Sequence, residues 1–179
     1  MTKSLKEMLI GVLLGDAHNR RVGLDKAYIT FEQAKAKADY LNNLYKLTQD
    51  ENLANDLPKL YSRTDSRFNN KINESLYFRT KSLEELKALA DLFLDSDGNK
   101  QIPSNFSDHL TYRSLAYWIM DDGQQVKRGG VTICTDSYKT DEISILQKAL
   151  ETNFNLITSI HHKKGKEETT YDRIYIKNS

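Results

Sequence analysis

Leu9-Ile-Gly-Val-Leu-Leu-Gly-Asp-Ala17 decides the fold of this chain, together with a second stretch of the same kind, Leu115-Ala-Tyr-Trp-Ile-Met-Asp-Asp-Gly123. Each stretch predicts an apolar helix that ends on a carboxylate, Asp16 in the first and Asp122 in the second. The partial negative charge at a helix C-terminus repels such a group by about 0.3–1 kcal/mol. Because the unfavourable placement occurs twice, we expect a cation to offset it.

The first stretch also carries two glycines that would let another helix approach closely. Gly11 and Gly15 lie four residues apart and therefore share one face of the helix. If the two apolar helices pack side by side, both carboxylates meet at one end of their interface. Oxygen ligands of this kind suit Mg²⁺, which can activate water and stabilise the leaving oxygen of a phosphodiester. Either stretch alone is better explained as a core helix ending in an ordinary turn, but the pair, at similar positions in two similarly ordered halves, favours a metal site.

The remaining chain repeats one order of elements around these two stretches. Clusters of β-forming residues at 27–33, 57–63 and 76–80 alternate with helical spacing at 34–52 and 83–93, and Ser4 and Ser82 each begin a capping-box pattern. The second half follows with a helix over 111–121, a strand over 131–135, a helix over 140–154 and a hairpin of strands 156–160 and 173–176. We predict an α+β fold of two pseudo-symmetric αββαββ halves, residues 1–94 and 110–179, with an extra helix in the first and a linker over 95–109.

Composition and charge restrict the possible partners. Hydrophobic residues make up 39% and charged residues 28% of the chain, as in ordinary globular proteins. No apolar run approaches the length of roughly 20 residues that spans a bilayer. The single cysteine, Cys134, excludes an internal disulfide. The net charge is only +1, but the predicted strand pairs are strongly basic and the other segments acidic, which predicts a face for a polyanion and no membrane partner.

Both apolar stretches resemble the LAGLIDADG motif of homing endonucleases. Ser114–Gly123 resembles the second motif of the single-chain, intron-encoded enzymes of organelles, and Phe31-Glu-Gln33, Ile102-Pro103 and Thr135-Asp-Ser-Tyr138 resemble flanking segments of that subfamily. The resemblance implies that the two motif helices form a central interface and that antiparallel β-ribbons from each half build a saddle along the DNA major groove. A single chain with two such halves is expected to act as a monomer.

The resemblance also implies roles for individual residues. Asp16 and Asp122 would be catalytic and would bind Mg²⁺, or Mn²⁺ in its place, with the backbone carbonyls of Gly15 and Asp121 assisting. Each acid would serve the cleavage of one DNA strand, which gives a staggered double-strand break in a long target. The family places a basic residue near each scissile phosphate, and in the first half Lys81 is the candidate.

The chain departs from the family pattern in two places. Tyr117 and Trp118 stand where the motif usually has small or aliphatic residues, a pattern that the subfamily tolerates. The sequence stops at Ser179, whereas relatives continue with a last helix and a basic tail that supplies the second active-site lysine. The second half is therefore expected to lack that helix and its own basic residue.

Side chains on the groove-facing side of a ribbon meet DNA bases at every second position, and the long polar residues of the predicted strand pairs are the candidates. In the first half these are Asn19, Arg20, Arg21, Tyr28, Thr30, Arg63, Arg67, Asn69, Asn70, Lys71 and Arg79, and in the second half Gln124, Gln125, Lys127, Arg128, Thr132, Thr135, His161, His162, Lys163, Lys164, Arg173 and Lys177.

The resulting hypothesis is a site-specific homing endonuclease that hydrolyses double-stranded DNA with Mg²⁺ and is encoded in a mitochondrion or chloroplast, as the resemblance implies. Two alternatives stay open: an intron-encoded RNA maturase with intron RNA as its partner, and a DNA-binding relative that does not cleave. Retention of both Asp16 and Asp122 favours the nuclease, because RNA folding does not need two convergent carboxylates.

Overall fold

A computed structural model describes residues 1–66, 70–166 and 169–178 and has the predicted α+β composition. Within these residues no helix combines the length and apolar character that a membrane crossing requires. In chain order the helices and strands are α1 (Lys3–Leu14), β1 (His18–Val22), β2 (Lys26–Ala34), α2 (Ala38–Asp50), β3 (Lys59–Asp65), β4 (Lys71–Arg79), α3 (Lys87–Phe93), α4 (Tyr112–Asp122), β5 (Gly123–Gln125), β6 (Val131–Ile133), α5 (Thr140–Phe154), β7 (Thr158–Lys164) and β8 (Thr170–Ile176).

The chain forms two compact units that do not coincide with the two halves of the sequence. The first unit comprises Met1–Leu5 and Asp16–Asp91, and the second comprises Lys6–Gly15 and Leu92–Ser179. Most of α1 therefore belongs to the second unit. Each unit contains one four-stranded antiparallel sheet, in the order β1-β2-β4-β3 in the first and β5-β6-β8-β7 in the second. The repeat predicted from the order of elements is thus present in the strand topology.

In the first unit, side-chain alternation along β2 determines which face of the sheet is covered. Ile29 and Phe31 are buried, whereas Tyr28 and Thr30 beside them are partly exposed. Phe31 stacks on Phe78 of β4 with ring centroids 4.4 Å apart, and α2 packs on the same face. The face that carries Tyr28 and Thr30 is called the first open face below.

The second unit has the same design, with α5 as the covering helix. Ile133 of β6 and Ile174 of β8 are paired and fully buried, and Leu146 of α5 is equally buried. The Gln147 side chain donates from α5 to the hydroxyl of Thr158 in β7 at 3.1 Å. The opposite face of the sheet is called the second open face. Asn155 ends α5 in a left-handed conformation with φ 54°, a common helix stop.

Two capping predictions from the sequence are wrong. Helix α1 begins at Lys3, so the hydroxyl that accepts from the backbone N–H of Leu5 belongs to Thr2 and not to Ser4. The segment after Ser82 starts with a 3₁₀ turn, Glu84–Leu86, that has no side-chain cap, and Glu85 binds the N-terminal amino group at 3.0 Å instead. In both cases other contacts replace the predicted capping box.

Residues 95–109, which the sequence assigns to a linker, are packed into the second unit. Phe106 is fully buried and meets Phe93 edge-on at 5.9 Å. The backbone N–H of Ile102 donates to the buried carboxylate of Glu142 at 3.2 Å. That carboxylate also accepts from the N–H of Lys139 at the start of α5, where negative charge is favourable.

Candidate active site and nucleic-acid interface

Helix α1 packs on α4 at the two glycines of the first motif. A Cβ atom on Gly11 would lie 2.4 Å from the carbonyl oxygen of Ser114, and one on Gly15 would lie 2.5 Å from the carboxylate of Asp121. No side chain fits at either position without a shift of the neighbouring helix. The Ser114 hydroxyl, itself buried, donates to the Glu7 carbonyl at 2.8 Å. The close approach of the motif helices predicted from the glycine spacing is confirmed.

Each motif helix carries a carboxylate at its C-terminal end. Asp122 is the last residue of α4, and Asp16 follows the end of α1 by two residues; both are half-buried. The backbone carbonyl of Asp122 accepts from the N–H of Cys134 at 2.9 Å, which ties the end of α4 to the end of β6. No group of three His, Cys, Asp or Glu side chains forms a metal-binding cluster within the described parts of the chain. A metal at either acid would therefore need carbonyl oxygens and water to complete its ligands, a donor set that fits Mg²⁺.

Gln33 is a functional candidate that the sequence alone did not single out. Its side chain is 6% exposed and its amide Nε2 donates to Oδ2 of Asp16 at 2.9 Å. A buried amide in this position fixes the orientation of the carboxylate, as partners of metal-ligating side chains commonly do. The signal in the sequence was a glutamine on the apolar side of an alternating strand, two residues after Phe31.

The structure also places a lysine at the end of α1. The ammonium of Lys100 donates to the carbonyl of Leu14 at 3.2 Å and lies 5.0 Å from the ring centroid of Tyr138. The Tyr138 hydroxyl donates to the same carbonyl. Burial and the negative charges of Asp122 and Glu142 raise the pKa of Tyr138 well above its ordinary value, so the hydroxyl keeps its proton at neutral pH.

Lys81, the basic residue expected near the scissile phosphate of the first half, lies in the first unit. Its ammonium donates to the Asn52 side chain at 2.8 Å. The backbone N–H of the preceding residue, Thr80, donates to the carbonyl of Ile29, four residues before Gln33. At the rise of a β-strand this separation is roughly 13 Å along β2. Lys81 is therefore not brought to Asp16, and it lines a separate cavity of about 540 Å³ beside the start of β3 and the end of β4.

In the second unit, the residue that corresponds to Gln33 is Thr135, which lies two residues beyond the end of β6. Gln33 comes two residues after the buried Phe31 of β2, and Thr135 comes two residues after the buried Ile133 of β6. Both are buried themselves, but the Thr135 hydroxyl donates to the carbonyl of Asp172 at 2.6 Å. Gln33 therefore orients the carboxylate of Asp16, whereas the hydroxyl of Thr135 is directed to a backbone carbonyl and not to an acid of the second motif.

Three groups near Thr135 have shifted pKa values: the Asp136 carboxyl, the Arg173 guanidinium and the Cys134 thiol. Arg173 is held by a bidentate pair with Asp136, which lowers the pKa of that carboxyl and raises the pKa of the guanidinium. Such paired hydrogen bonds between charged groups are among the strongest in proteins. Cys134 is half-buried, and desolvation raises the pKa of its thiol, so it is not activated as a nucleophile.

Strand register decides which predicted DNA contacts share a face in the first unit. Thr30 pairs with Arg79 and Arg20 pairs with Tyr28, so these four side chains project from the first open face. The guanidinium of Arg79 lies 4.7 Å from the ring centroid of Tyr28, which orients it. The strand register places further residues on the same face: His18, Val22, Lys26, Glu32, Ala34, Lys59, Tyr61, Arg63, Asp65, Lys71, Asn73, Ser75 and Tyr77.

Two predicted contacts of β1 lie on the opposite face. Asn19 donates its side-chain amide to the Leu89 carbonyl at 3.1 Å, and Arg21 forms an ion pair with Asp91 at 3.0 Å. Both side chains therefore join β1 to α3. Asn70, at φ 57°, lies in the turn that leads into β4, whereas Arg67 and Asn69 lie outside the described residues.

The second open face has a similar composition. Register places Gln124, Thr132, Tyr175, Arg173, His161 and Lys163 on it, together with Ser159 and Tyr171. His161 stacks on Tyr175 with ring centroids 4.7 Å apart. Three of the remaining candidates, Gln125, His162 and Lys164, project from the other face of this sheet. Lys127 and Arg128 are exposed in the β5–β6 turn, and Lys177 is exposed after the end of β8.

The sequence of this chain matches the family model described as the LAGLIDADG DNA endonuclease family over residues 6–179. The chain belongs to that family. Its glycine-mediated helix packing and the acid at the end of each motif helix are thus features of a LAGLIDADG protein.

Curated relatives include both nucleases and maturases. The probable intron-encoded endonuclease 1 of Wickerhamomyces canadensis is 31% identical over 175 residues, covering 93% of this chain and 72% of the relative. The cytochrome b mRNA maturase bI2 of Debaryomyces hansenii is 30% identical over 167 residues, covering 92% of this chain and 62% of the relative. This chain therefore spans less than two thirds of that maturase.

Among solved structures, the homing endonuclease I-WcaI bound to its DNA recognition sequence superimposes with a TM-score of 0.83 at 28% identity, covering 98% of this chain and 76% of that one. I-DmoI in complex with its target DNA gives a TM-score of 0.55 at 11% identity, covering 97% of this chain and 88% of that one, a likeness of fold alone.

Proposed function

We propose that this protein is a site-specific homing endonuclease that makes a staggered double-strand break in a long DNA target. The observation that carries the proposal is the close packing of α1 on α4 through Gly11 and Gly15. Two closely packed helices that each end on an acid are the arrangement expected if those acids bind the catalytic metal. The likeness to a homing endonuclease bound to DNA supports the same activity. The protein acts as a monomer, since one chain supplies both motifs.

Asp16 and Asp122 are the proposed metal ligands, with the backbone carbonyls of Gly15 and Asp121 beside them. Mg²⁺, or Mn²⁺ in its place, would polarise the phosphate, activate water and stabilise the leaving oxygen. Gln33 holds the carboxylate of Asp16 in one orientation, and its burial keeps bulk water from that side.

Lys100, rather than Lys81, is the proposed basic residue of the first motif. Its ammonium lies at the last turn of α1, on the carbonyl of Leu14. The ammonium of Lys81 is instead directed to the Asn52 side chain. A cation at the end of α1 also offsets the partial negative charge of that helix terminus.

The two open faces are the proposed DNA-binding surfaces. Each presents rows of Arg, Lys, His, Tyr and Thr side chains on alternating positions, the spacing with which a β-ribbon reads the major groove. Arg79 and Arg63 each lie over a tyrosine ring, at 4.7 Å from Tyr28 and 5.5 Å from Tyr61. Such stacking reduces the conformational freedom that an arginine loses when it binds a base.

A plasmid library that carries intronless organellar gene fragments and randomised inserts tests this function. Incubated with Mg²⁺, the wild-type protein is expected to give discrete double-strand cuts, which disappear with EDTA and in Asp16→Asn and Asp122→Asn. Asp97→Asn, which changes an exposed acid in a turn, is the matched control and should cut normally. If no plasmid is cut under any of these conditions, the nuclease function is wrong.

An RNA maturase is the second candidate, favoured by the relatives of that name. In that case the protein would accelerate splicing of its own intron without cutting DNA, and Asp16→Asn would splice as well as the wild type. A DNA-binding protein without turnover would instead retain a discrete binding site in the library and show neither reaction. An organellar genome, in a mitochondrion or chloroplast, is the proposed origin, in line with the intron-encoded relatives.

A further inference from the structure

The segment between β6 and α5 contains a tyrosine for which the proposed DNA-cleavage chemistry has no direct use. Tyr138 lies in a turn closed by a hydrogen bond from its own N–H to the Thr135 carbonyl at 3.1 Å. Its side chain is directed away from the turn, toward α1, where the hydroxyl donates to the carbonyl of Leu14. The contact joins residues 124 positions apart in the chain, so it forms only when the tertiary structure is in place.

The acceptor of this hydrogen bond is one of the carbonyl groups that a helix cannot satisfy internally. Leu14 is the last residue of α1, and the final carbonyls of any helix lack an N–H partner within it. Two donors fill this role at Leu14, the Tyr138 hydroxyl and the Lys100 ammonium, the latter at 3.2 Å. The helix end is therefore fixed by two groups that are far from it in sequence.

Tyr138 also acts on Lys100 directly. The ammonium lies 5.0 Å from the centroid of the tyrosine ring, a distance at which the ring face attracts a cation. The ring thus limits the directions that the long lysine side chain can take. The two contacts of Tyr138, one through its hydroxyl and one through its ring, converge on the same helix terminus.

We propose that Tyr138 is a positioning residue for the first motif, which holds the Leu14 carbonyl and the Lys100 ammonium at the end of α1. Asp16 follows Leu14 by two residues in the chain. The orientation of the Leu14 peptide group therefore influences the position of the Asp16 backbone. A helix end that frays would let Gly15 and Asp16 sample several conformations. The inference rests on the proposed endonuclease function, because it assigns Tyr138 to the reaction of that site.

The charges around Tyr138 match a donor role. Asp122 and Glu142 lie close enough to disfavour the phenolate, and burial, the larger cause, acts in the same direction, so the pKa of Tyr138 is raised. Lys100 and Leu14 face it from the other elements. The hydroxyl therefore keeps its proton at neutral pH and donates a hydrogen bond to the Leu14 carbonyl.

Two substitutions separate the hydroxyl from the ring. Tyr138→Phe removes only the hydrogen bond to Leu14, whereas Tyr138→Leu also removes the ring beneath Lys100. Tyr112→Phe is the matched control, because Tyr112 is 74% exposed and its ring packs on Phe154. Each variant is compared with the wild type in two measurements, one of which does not depend on DNA cleavage.

The first measurement is amide hydrogen exchange, followed by mass spectrometry, in peptides that cover residues 9–18 and 140–154. In Tyr138→Phe the exchange of 9–18 is expected to rise about 10-fold, which corresponds to a lost hydrogen bond of about 1.4 kcal/mol, while 140–154 is unchanged. Tyr138→Leu should show a larger rise, and Tyr112→Phe none. Unchanged exchange over 9–18, or a uniform rise in both peptides, would overturn the proposal.

The second measurement uses the duplex recovered from the plasmid library as its probe. In Tyr138→Phe the single-turnover cleavage rate is expected to fall about 10- to 100-fold, the range found for partners of metal-ligating groups, while the Kd measured in EDTA stays within about 2-fold. A parallel loss of binding and cleavage would indicate general damage to the structure and would contradict a positioning role. If the wild type cuts no duplex, the endonuclease function fails first, and the exchange experiment alone shows whether Tyr138 orders the end of α1.

Discussion

The buried amide of Gln33 donates to the carboxylate of Asp16 at 2.9 Å, although the two residues lie 17 positions apart in the sequence. Asp16 precedes the β1–β2 hairpin and Gln33 lies near its end, so the hairpin brings β2 back to the end of the first motif. Gln33 is 6% exposed and has little freedom to turn away. The orientation of the candidate metal ligand is therefore determined by the sheet.

Replacing Gln33 by alanine should slow cleavage without weakening DNA binding. The carboxylate of Asp16 loses one orienting donor, and we expect the metal concentration for half-maximal cleavage to rise about 10- to 100-fold. The measurement is a Mg²⁺ titration of the single-turnover rate on the library-derived duplex. Gln49→Ala, an exposed glutamine of α2, is the control, and equal behaviour of the two variants would contradict the role of Gln33.

The close packing of α1 on α4 predicts the sign of a stability change. Helix propensity alone would make Gly11→Ala stabilising by about 1 kcal/mol. The added Cβ atom would, however, lie 2.4 Å from the Ser114 carbonyl oxygen. Overpacking of this kind costs about 1–3 kcal/mol. We expect a net loss in the free energy of unfolding, measured by urea denaturation, and a gain in stability would show that the two helices are not in close contact.

Arginines on opposite faces of the first sheet provide a matched pair for DNA binding. Arg79 projects from the first open face, whereas Arg21 is paired with Asp91 on the other side. Arg79→Ala is expected to weaken binding by about 1–3 kcal/mol if it contacts a base, with a reduced dependence of affinity on salt if it contacts a phosphate.

Arg21→Ala serves as the counterpart to that experiment. It removes the same charge from the same sheet but should leave Kd and its salt dependence close to wild type in fluorescence-anisotropy titrations. A larger effect of Arg21→Ala than of Arg79→Ala would place the DNA on the opposite face and would contradict the assignment of the first open face.

The ion pair of Asp136 and Arg173 predicts a pH dependence of stability. Arg173 lowers the pKa of the Asp136 carboxyl in the folded protein. The pair therefore contributes stability above the unfolded pKa of about 3.9 and loses it as pH falls through the lower folded value. Asp136→Asn should be less stable than wild type at pH 7 by about 1 kcal/mol, and the difference should shrink below about pH 4. Urea denaturation at pH 7 and pH 3 checks this, and a constant difference would contradict it.

The two acids are expected to act on different DNA strands. In Asp16→Asn or Asp122→Asn, one strand should be cut on the order of 10²–10³-fold more slowly, so that supercoiled plasmid accumulates as nicked circles. Labelling each strand of the duplex identifies which one each variant spares. If both variants spare the same strand, the assignment of one acid to each strand is wrong.

Local patterns in the sequence were sufficient for much of the fold. The spacing of apolar residues predicted α5 at 140–154, and the structure has Thr140–Phe154. The strands of the last hairpin, in contrast, were predicted as 156–160 and 173–176 and are longer, Thr158–Lys164 and Thr170–Ile176. The residues added to β7, such as His162 and Lys164, are polar and exposed, so burial leaves no periodic signal there. Pairing across the hairpin keeps them in the sheet.

The sequence by itself determined the two apolar helices, the acid at the end of each, the glycines between them and the repeated order of strands, because these depend on near neighbours and on a short period. Only the tertiary structure decided that Lys100 and Tyr138, rather than Lys81, reach the end of α1, and that Asn19 and Arg21 join β1 to α3. Such contacts depend on strand register and on which distant segments pack together. A lysine has the same local signature in the sequence whether its ammonium meets Asn52 or the carbonyl of Leu14.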